Sequence, residues 1–143
     1  MFRVMLDTNI LISAIIFPNN DINYFINHVI KDDKLFICDY VLNELELVIK
    51  RKFPDKTADF KRYIHELDFK FINTACEQID NDLPSVRDAK DTPILQAAIK
   101  HNIDVFITGD KDFLCLRDDI LKPFILTMSE YEIVKSSFVR LKS

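Results

Sequence analysis

Residues 1–17 read MFRVMLDTNILISAIIF, and the step from Leu6 to Thr8 decides the architecture. Residues 2–6 (FRVML) are rich in strand formers and read as a buried strand. Asp7-Thr8-Asn9 then offers helix-starting residues, and Ile10, Leu11, Ala14 and Ile15 follow at helical spacing. The strand therefore ends on a carboxylate. An ionised carboxylate is costly inside a protein unless it is hydrogen-bonded, paired or bound to a cation. Asp7 is a helix cap, a turn residue or part of a site.

The same grammar repeats outward from this point. Pro18-Asn19-Asn20-Asp21 predicts a turn. A second helix is expected over 22–30, carrying Tyr24, Phe25, Ile26, Val29 and Ile30 and ended by Asp32-Asp33. Residues 35–38 (LFIC) form a wholly apolar strand, after which Asp39 is placed to cap a helix. Its stripe is Val41, Leu42, Leu45, Val48 and Ile49, and Pro54 ends it. Residues 56–68 (KTADFKRYIHELD) predict another amphipathic helix, with Phe60, Tyr63, Ile64 and Leu67 turned inward.

A third strand is expected over 69–73, and 81–90 reads as a polar loop. Asp91-Thr92-Pro93 is a strong helix start, since proline suits the first helical position. Residues 104–107 and 124–126 are the fourth and fifth strands, and Ser129 is expected to cap a terminal helix. Strands that alternate with helices, several of them apolar throughout, specify an α/β fold with a parallel sheet covered on both faces. No linker, repeat or low-complexity stretch interrupts residues 1–143, so a single domain is expected.

Composition narrows the function. The chain holds one glycine, so neither a P-loop nor a dinucleotide-binding fingerprint can be written in it. Cys38, Cys76 and Cys115 are far apart and lack CxxC spacing, which argues against a zinc site or a disulfide framework. Reduced, mostly buried thiols in a cytoplasmic protein are expected. The N-terminus has the basic-then-apolar look of a secretion signal, but Asp7 and Asn9 interrupt it and no cleavage site follows. No stretch reaches the roughly 18 apolar residues of a membrane span. The net charge of −4 is unfavourable for binding a polyanion.

In open parallel sheets, ligands sit beyond the carboxyl ends of the strands. The acids expected there are Asp7 after the first strand, Asp110 and Asp112 after the fourth, and Asp91 at the helix that leads into it. Glu44 lies at the border of the apolar stripe on the helix after the second strand, and Glu46 lies at the opposite border. Periodicity does not choose between them. Each acid also has a plain reading, as a cap, a turn residue or a solvated side chain. Together they form the kind of oxygen cluster that holds hard divalent cations. Gly109, the lone glycine, would permit a tight bend and a close approach of ligand beside Asp110.

The motifs LDTNIL (6–11), VLNELELVIKRKF (41–53), DTPILQAA (91–98), VFITGDKDF (105–113) and ILTMSEYEI (125–133) resemble, in order, those of the PIN domain family. The resemblance covers most of the chain. It is nearest to the branch grouped with toxins of toxin–antitoxin systems. It implies a three-layer α/β/α sandwich around a five-stranded parallel sheet in the order 3-2-1-4-5, and a Mg²⁺- or Mn²⁺-dependent endoribonuclease. It assigns the acidic site to Asp7, Glu44, Asp91 and Asp110, with Asp112 as a fifth member. Glu44 is chosen over Glu46 because the family's acid directly precedes a core leucine, here Leu45. Asn9 and Thr108 match polar positions that orient carboxylates or water. RNA as substrate, a homodimer and an antitoxin partner are likewise implied.

Two positions depart from the family pattern. Asp39 stands where serine is frequent, and Asp88 adds an acid three residues before Asp91. Setting aside the five site acids leaves 18 acids against 19 bases, a net of +1, which lessens the charge objection. Lys50, Arg51, Lys52, Lys56, Lys61 and Arg62 also gather on adjoining helices as substrate-binding candidates, though a solvated helix face is the plainer explanation of them. His28, His65 and His101 fall outside the motifs and are expected on the surface. The rival readings are a PIN fold that binds nucleic acid without catalysis and a Mg²⁺-dependent phosphoacceptor domain. A phosphoacceptor domain carries its acceptor after the third strand, where this chain has no aspartate.

Overall fold

The computed structural model describes residues 1–18 and 21–142, with side chains described to residue 137. The expected turn residues Asn19 and Asn20 lie outside the described residues. Five strands form one parallel sheet: β1 (Arg3–Leu6), β2 (Lys34–Cys38), β3 (Lys70–Ile72), β4 (Val105–Ile107) and β5 (Phe124–Leu126). Their order is β3-β2-β1-β4-β5. The helices are α1 (Thr8–Ile16), α2 (Asp21–Asp32), α3 (Asp39–Lys52), α4 (Thr57–Glu66), α5 (Thr92–Lys100), α6 (Lys111–Leu114) and α7 (Met128–Lys142).

The chain steps outward from β1 to β2 and β3, then returns across β1 to β4 and β5. Right-handed crossovers travelling in opposite directions place α1 to α4 on one face and α5 and α6 on the other. The three-layer expectation is met. The reversal falls between β1 and β4, whose register pairs Leu6 with Ile107. Asp7 and Thr108 therefore leave the sheet side by side.

Burial explains why β1 is central. Val4, Met5 and Leu6 are buried, and so are Val105, Phe106 and Ile107 beside them. Strands lined on both faces must be apolar at successive positions rather than alternate ones. The edge strands relax this rule, exposing Phe71 on β3 and Phe124 on β5. Over the helical layer, Leu11, Ile26, Leu45 and Ile49 fill the core. Helix α7 folds back over α2, where the Tyr131 ring meets Phe25 edge-on at 5.4 Å between centroids.

Three local expectations need correction, and one that holds needs refining. Asp39 makes no side-chain cap to α3; its carboxylate accepts the Thr74 hydroxyl at 2.7 Å and the Thr74 N–H at 3.2 Å, tying α3 to the chain after β3. Ser129 does not cap α7. Thr127 and Glu130 do so reciprocally: the Glu130 N–H donates to Thr127 Oγ1 at 3.2 Å, and the Thr127 N–H donates to Glu130 Oε1 at 3.0 Å. Phe60, Tyr63, Ile64 and Leu67 do turn inward, yet α4 buries none of its residues fully, because it packs on α3 and not on the sheet. Only Cys38 is buried, its thiol pushed up to about 11 by that burial, while Cys76 and Cys115 are exposed. Among the described residues no helix is long and apolar enough to cross a membrane.

Candidate active site

The best-formed hydrogen bond of the Asp7 carboxylate leads away from its own helix. Asp7 occupies the N-cap position of α1 without a well-formed side-chain cap bond, although the Thr8 and Asn9 N–H groups face its carboxylate and lower its pKa. Its Oδ2 instead accepts the Thr108 hydroxyl at 2.7 Å across the β1–β4 seam. Thr108 Oγ1 in turn accepts the Asp110 N–H at 2.9 Å. A hydroxyl has one proton, and an N–H can only donate, so the Thr108 proton is committed to Asp7. One buried hydroxyl thus fixes two acids relative to each other.

Asp91 follows the same logic. It too stands at an N-cap, of α5, without a side-chain cap. The start of α5 is fastened by its neighbour: Thr92 Oγ1 accepts the Val86 N–H at 3.0 Å and donates to the Val86 carbonyl at 3.3 Å. The Asp91 carboxylate is left over. Asp110 differs, because its Oδ1 does cap α6 through the Asp112 N–H at 2.9 Å. Its Oδ2 has no partner among the described residues. Glu44 is carried by α3, next to the fully buried Leu45.

These four acids line one hollow of about 520 Å³, and Asp88 and Asn9 line it with them. A second hollow of about 380 Å³ shares Asp7, Asn9 and Asp110 with the first and continues past Thr108 and Gly109 to Ser13 and Ser129. Asp112 lines neither; its carboxylate lies 3.9 Å from the Arg87 guanidinium. Gly109 has ordinary backbone angles, and a Cβ there would meet nothing within 4 Å, so the tight-bend explanation fails while the open space remains.

Electrostatics mark the hollow as a place of uncompensated charge. The Asp91 carboxyl is pushed up to about 7, chiefly by burial and then by Asp88, Asp7, Glu44 and Asp110. Burial also raises Asp7, against the opposing bond from Thr108. Glu44 is raised by burial, with Asp7 and Asp88 adding to the effect. The Thr8 hydroxyl faces Glu44 yet falls short of a well-formed bond, and it is buried without a partner among the described residues. Carboxylates that raise one another in this way form a hard-oxygen donor set suited to a divalent cation. As placed, no three acidic, histidine or cysteine side chains among the described residues converge tightly enough to grip an ion.

The basic run is reduced by the same inspection. Lys50 pairs with Glu46 at 2.8 Å, and Lys56 and Arg62 lie 3.7 and 3.3 Å from Asp59. The Lys50 pair holds the Glu46 carboxyl below its usual range and removes Glu46 from the site. Lys52 and Lys61 do not line the hollow; Arg51 does. No histidine lines it either, although His101 is half-buried and paired with Glu77, not fully on the surface as expected.

Tyr40, Asn43 and Lys90 line the hollow and were missed by the sequence reading. A signal existed for the first. Tyr40, Glu44, Leu47 and Arg51 recur at helical spacing along α3, beside the buried stripe Val41, Leu45 and Ile49.

Comparison with known proteins agrees with the fold. The family model described as PIN domain matches residues 3–112. This chain belongs to the PIN domain family. No curated protein matches it. Among solved structures, it is similar to a chain in the crystal structure of VapBC2 from Rickettsia felis bound to a DNA fragment from their promoter. The TM-score is 0.62 at 20% identity, covering 87% of this chain and 96% of that chain.

Proposed function

We propose that this chain is a Mg²⁺- or Mn²⁺-dependent endoribonuclease acting as the toxin of a toxin–antitoxin module. One observation carries the reading: Asp7, Glu44, Asp91 and Asp110 share a single hollow where the strand order reverses, and burial and mutual repulsion lift Asp91 to about 7. A cation is what relieves such a cluster. Asp7, Glu44, Asp91 and Asp110 would hold it, with Asp112 adjoining through its bond to Asp110. A bound Mg²⁺ or Mn²⁺ would supply positive charge to the phosphoryl oxygens and the leaving oxygen during hydrolysis.

The protein's own groups prepare that chemistry. Thr108 holds Asp7 in one orientation, and the α6 cap fixes Asp110, so both carboxylates are set before substrate arrives. Asn9 is exposed at the rim as a polar group for water or ribose, and Gly109 leaves the backbone open to an approaching strand. Hydrolysis breaks one P–O bond, with water giving its hydroxyl to phosphorus and a proton to the leaving oxygen.

The antitoxin proposal draws on the family resemblance and on a third hollow. It has about 660 Å³, lies between α2 and α7, is lined by Tyr24, Phe25 and Met128, and shares Ile22, Met128 and Ser129 with the hollow beside the acids. A partner segment seated there would reach the acids. The Rickettsia felis neighbour was solved as VapBC2 on promoter DNA. A homodimer is proposed alongside.

The test is cleavage of labelled RNA in EDTA and in millimolar Mn²⁺. Cleavage in Mn²⁺ alone, abolished in Asp7→Asn and Asp110→Asn, is expected. The competing reading, a PIN fold that binds nucleic acid without catalysis, draws on the loose placement of the acids. It predicts RNA binding with no cleavage in any metal and no heat of Mn²⁺ binding by calorimetry.

A further inference from the structure

We propose that Tyr40, Arg51 and Lys90 form a nucleotide subsite on one side of the acids, with a base stacked on Tyr40 and the flanking phosphates on the two cations. The inference rests on the ribonuclease reading and adds the way the strand lies. Helix α3 presents two faces. Val41, Leu45 and Ile49 are buried, while Tyr40, Glu44, Leu47 and Arg51 line the hollow. Eleven residues of helix set Tyr40 and Arg51 about 16 Å apart along its axis, with Glu44 between their levels. The acid is flanked on one helix by an aromatic ring and a guanidinium.

Three facts assign roles. Tyr40 stands 41% exposed inside the hollow, and its hydroxyl bonds to nothing among the described residues. An aromatic ring held half-exposed beside a site for phosphodiesters is a stacking platform for a base. Arg51 and Lys90 line the same hollow, yet neither makes an ion pair or a side-chain hydrogen bond among the described residues. Other bases nearby do find carboxylates, namely Lys50, Lys56 and Arg62. Arg51 has no ion pair among the described residues and Lys90 only a longer-range attraction to Glu44, so both are placed for phosphates rather than for the fold.

The second hollow makes the arrangement one-sided. It reaches the same Asp7 and Asp110 but is lined beyond them by Ser13, Ser129, Thr127, Ile10, Ile22 and Met128, with no cation among the described residues. Of these two hollows, only the one beside α3 offers both a ring and cations among its described lining residues.

Steady-state cleavage of a single-stranded RNA oligonucleotide in Mn²⁺, at a series of salt concentrations, tests this. Arg51→Gln and Lys90→Gln should each raise KM severalfold with kcat kept, and each should lower the salt slope of KM by about one. Tyr40→Ala should raise KM by about 5- to 150-fold, and Tyr40→Phe should restore it, because stacking needs the ring and not the hydroxyl. Unchanged KM and salt slope in all three variants, or a Tyr40→Phe defect equal to Tyr40→Ala, overturns the subsite. If wild type cuts no RNA, the ribonuclease reading fails by itself. Fluorescence anisotropy with the same labelled oligonucleotide then decides the subsite, and equal binding by wild type and variants, or none by either, overturns it.

Discussion

Asp91 has lost the usual freedom of an aspartate to stay ionised. Its carboxyl titrates near 7 in the folded chain against 3.8 for an unperturbed one. Between those values the native state keeps a proton that the unfolded chain has released. Stability therefore falls as pH rises from about 4 to 7 and levels off above. Thermal melting in EDTA should show that decline in wild type and not in Asp91→Asn. At pH 7.5 in EDTA, Asp91→Asn should melt no lower than wild type, since it loses repulsion and no cap. Saturating Mn²⁺ near 100 Kd should stabilise wild type by about 2.7 kcal/mol and raise its Tm by roughly 5–10 °C. The variant should gain far less. An Asp91→Asn protein that melts well below wild type in EDTA, with an equal gain from metal, would reduce Asp91 to a helix cap.

The residue scale also shows what a sequence can reveal. Asp7 and Asp110 were legible because strand ends in a parallel sheet are few and a carboxylate at one is conspicuous, and Asp91 because Asp-Thr-Pro marks a helix start. Glu44 needed the resemblance, because a helix border carries two equivalent glutamates until Lys50 is seen to occupy Glu46. Lys90 was not legible at all: it sits in a loop, where no periodicity reports direction. The histidines give a simple control. His28, His65 and His101 stand away from the hollow, so replacing each by Gln should leave RNA cleavage within a few-fold in the same Mn²⁺ assay.

At the scale of elements, strand and helix identity followed from period and composition, whereas the caps did not. Ser129 was the expected cap of α7, yet Thr127-Met128-Ser129-Glu130 is itself a capping-box pattern, with threonine three residues before glutamate. Glu130 is held further by Arg117 at 2.8 Å, and its carboxyl is lowered to about 2, first by that bond and then by Thr127. Thr127→Ala should destabilise the protein by about 1 kcal/mol, read from the urea midpoint, and Ser129→Ala by much less. Equal effects would return the cap to Ser129. Asp39 misled for a related reason. A capping residue at a helix start is also free to reach across the sheet, and Thr74 claimed it.

For the whole molecule, the order of strands was legible only through the resemblance, because local pattern does not say which strand lies beside which. The long-range bonds that help fix it centre on residues outside the motifs. Asp33 is the clearest: its buried carboxylate accepts the Phe2 N–H at 2.8 Å, bonds the Tyr131 hydroxyl, and lies 3.1 Å from Lys135 Nζ. Removing one member of a buried charged group strands the others. Asp33→Ala should cost about 3 kcal/mol by denaturant unfolding, and a loss under 1 kcal/mol would show the group to be dispensable. Sedimentation at tens of micromolar addresses the proposed homodimer; monomer alone would refute it.

The Asp33 clasp has a kinetic meaning as well. An amide just outside a strand, with no place in the ladder, ordinarily trades hydrogen with solvent quickly. Here that amide is locked to a buried carboxylate that also holds the last helix, at the end of β1 opposite Asp7. The approach to β1 and helix α7 thus share one fastening. In deuterated water the Phe2 amide should exchange as slowly as those in the middle of the sheet, and Asp33→Asn should release it first.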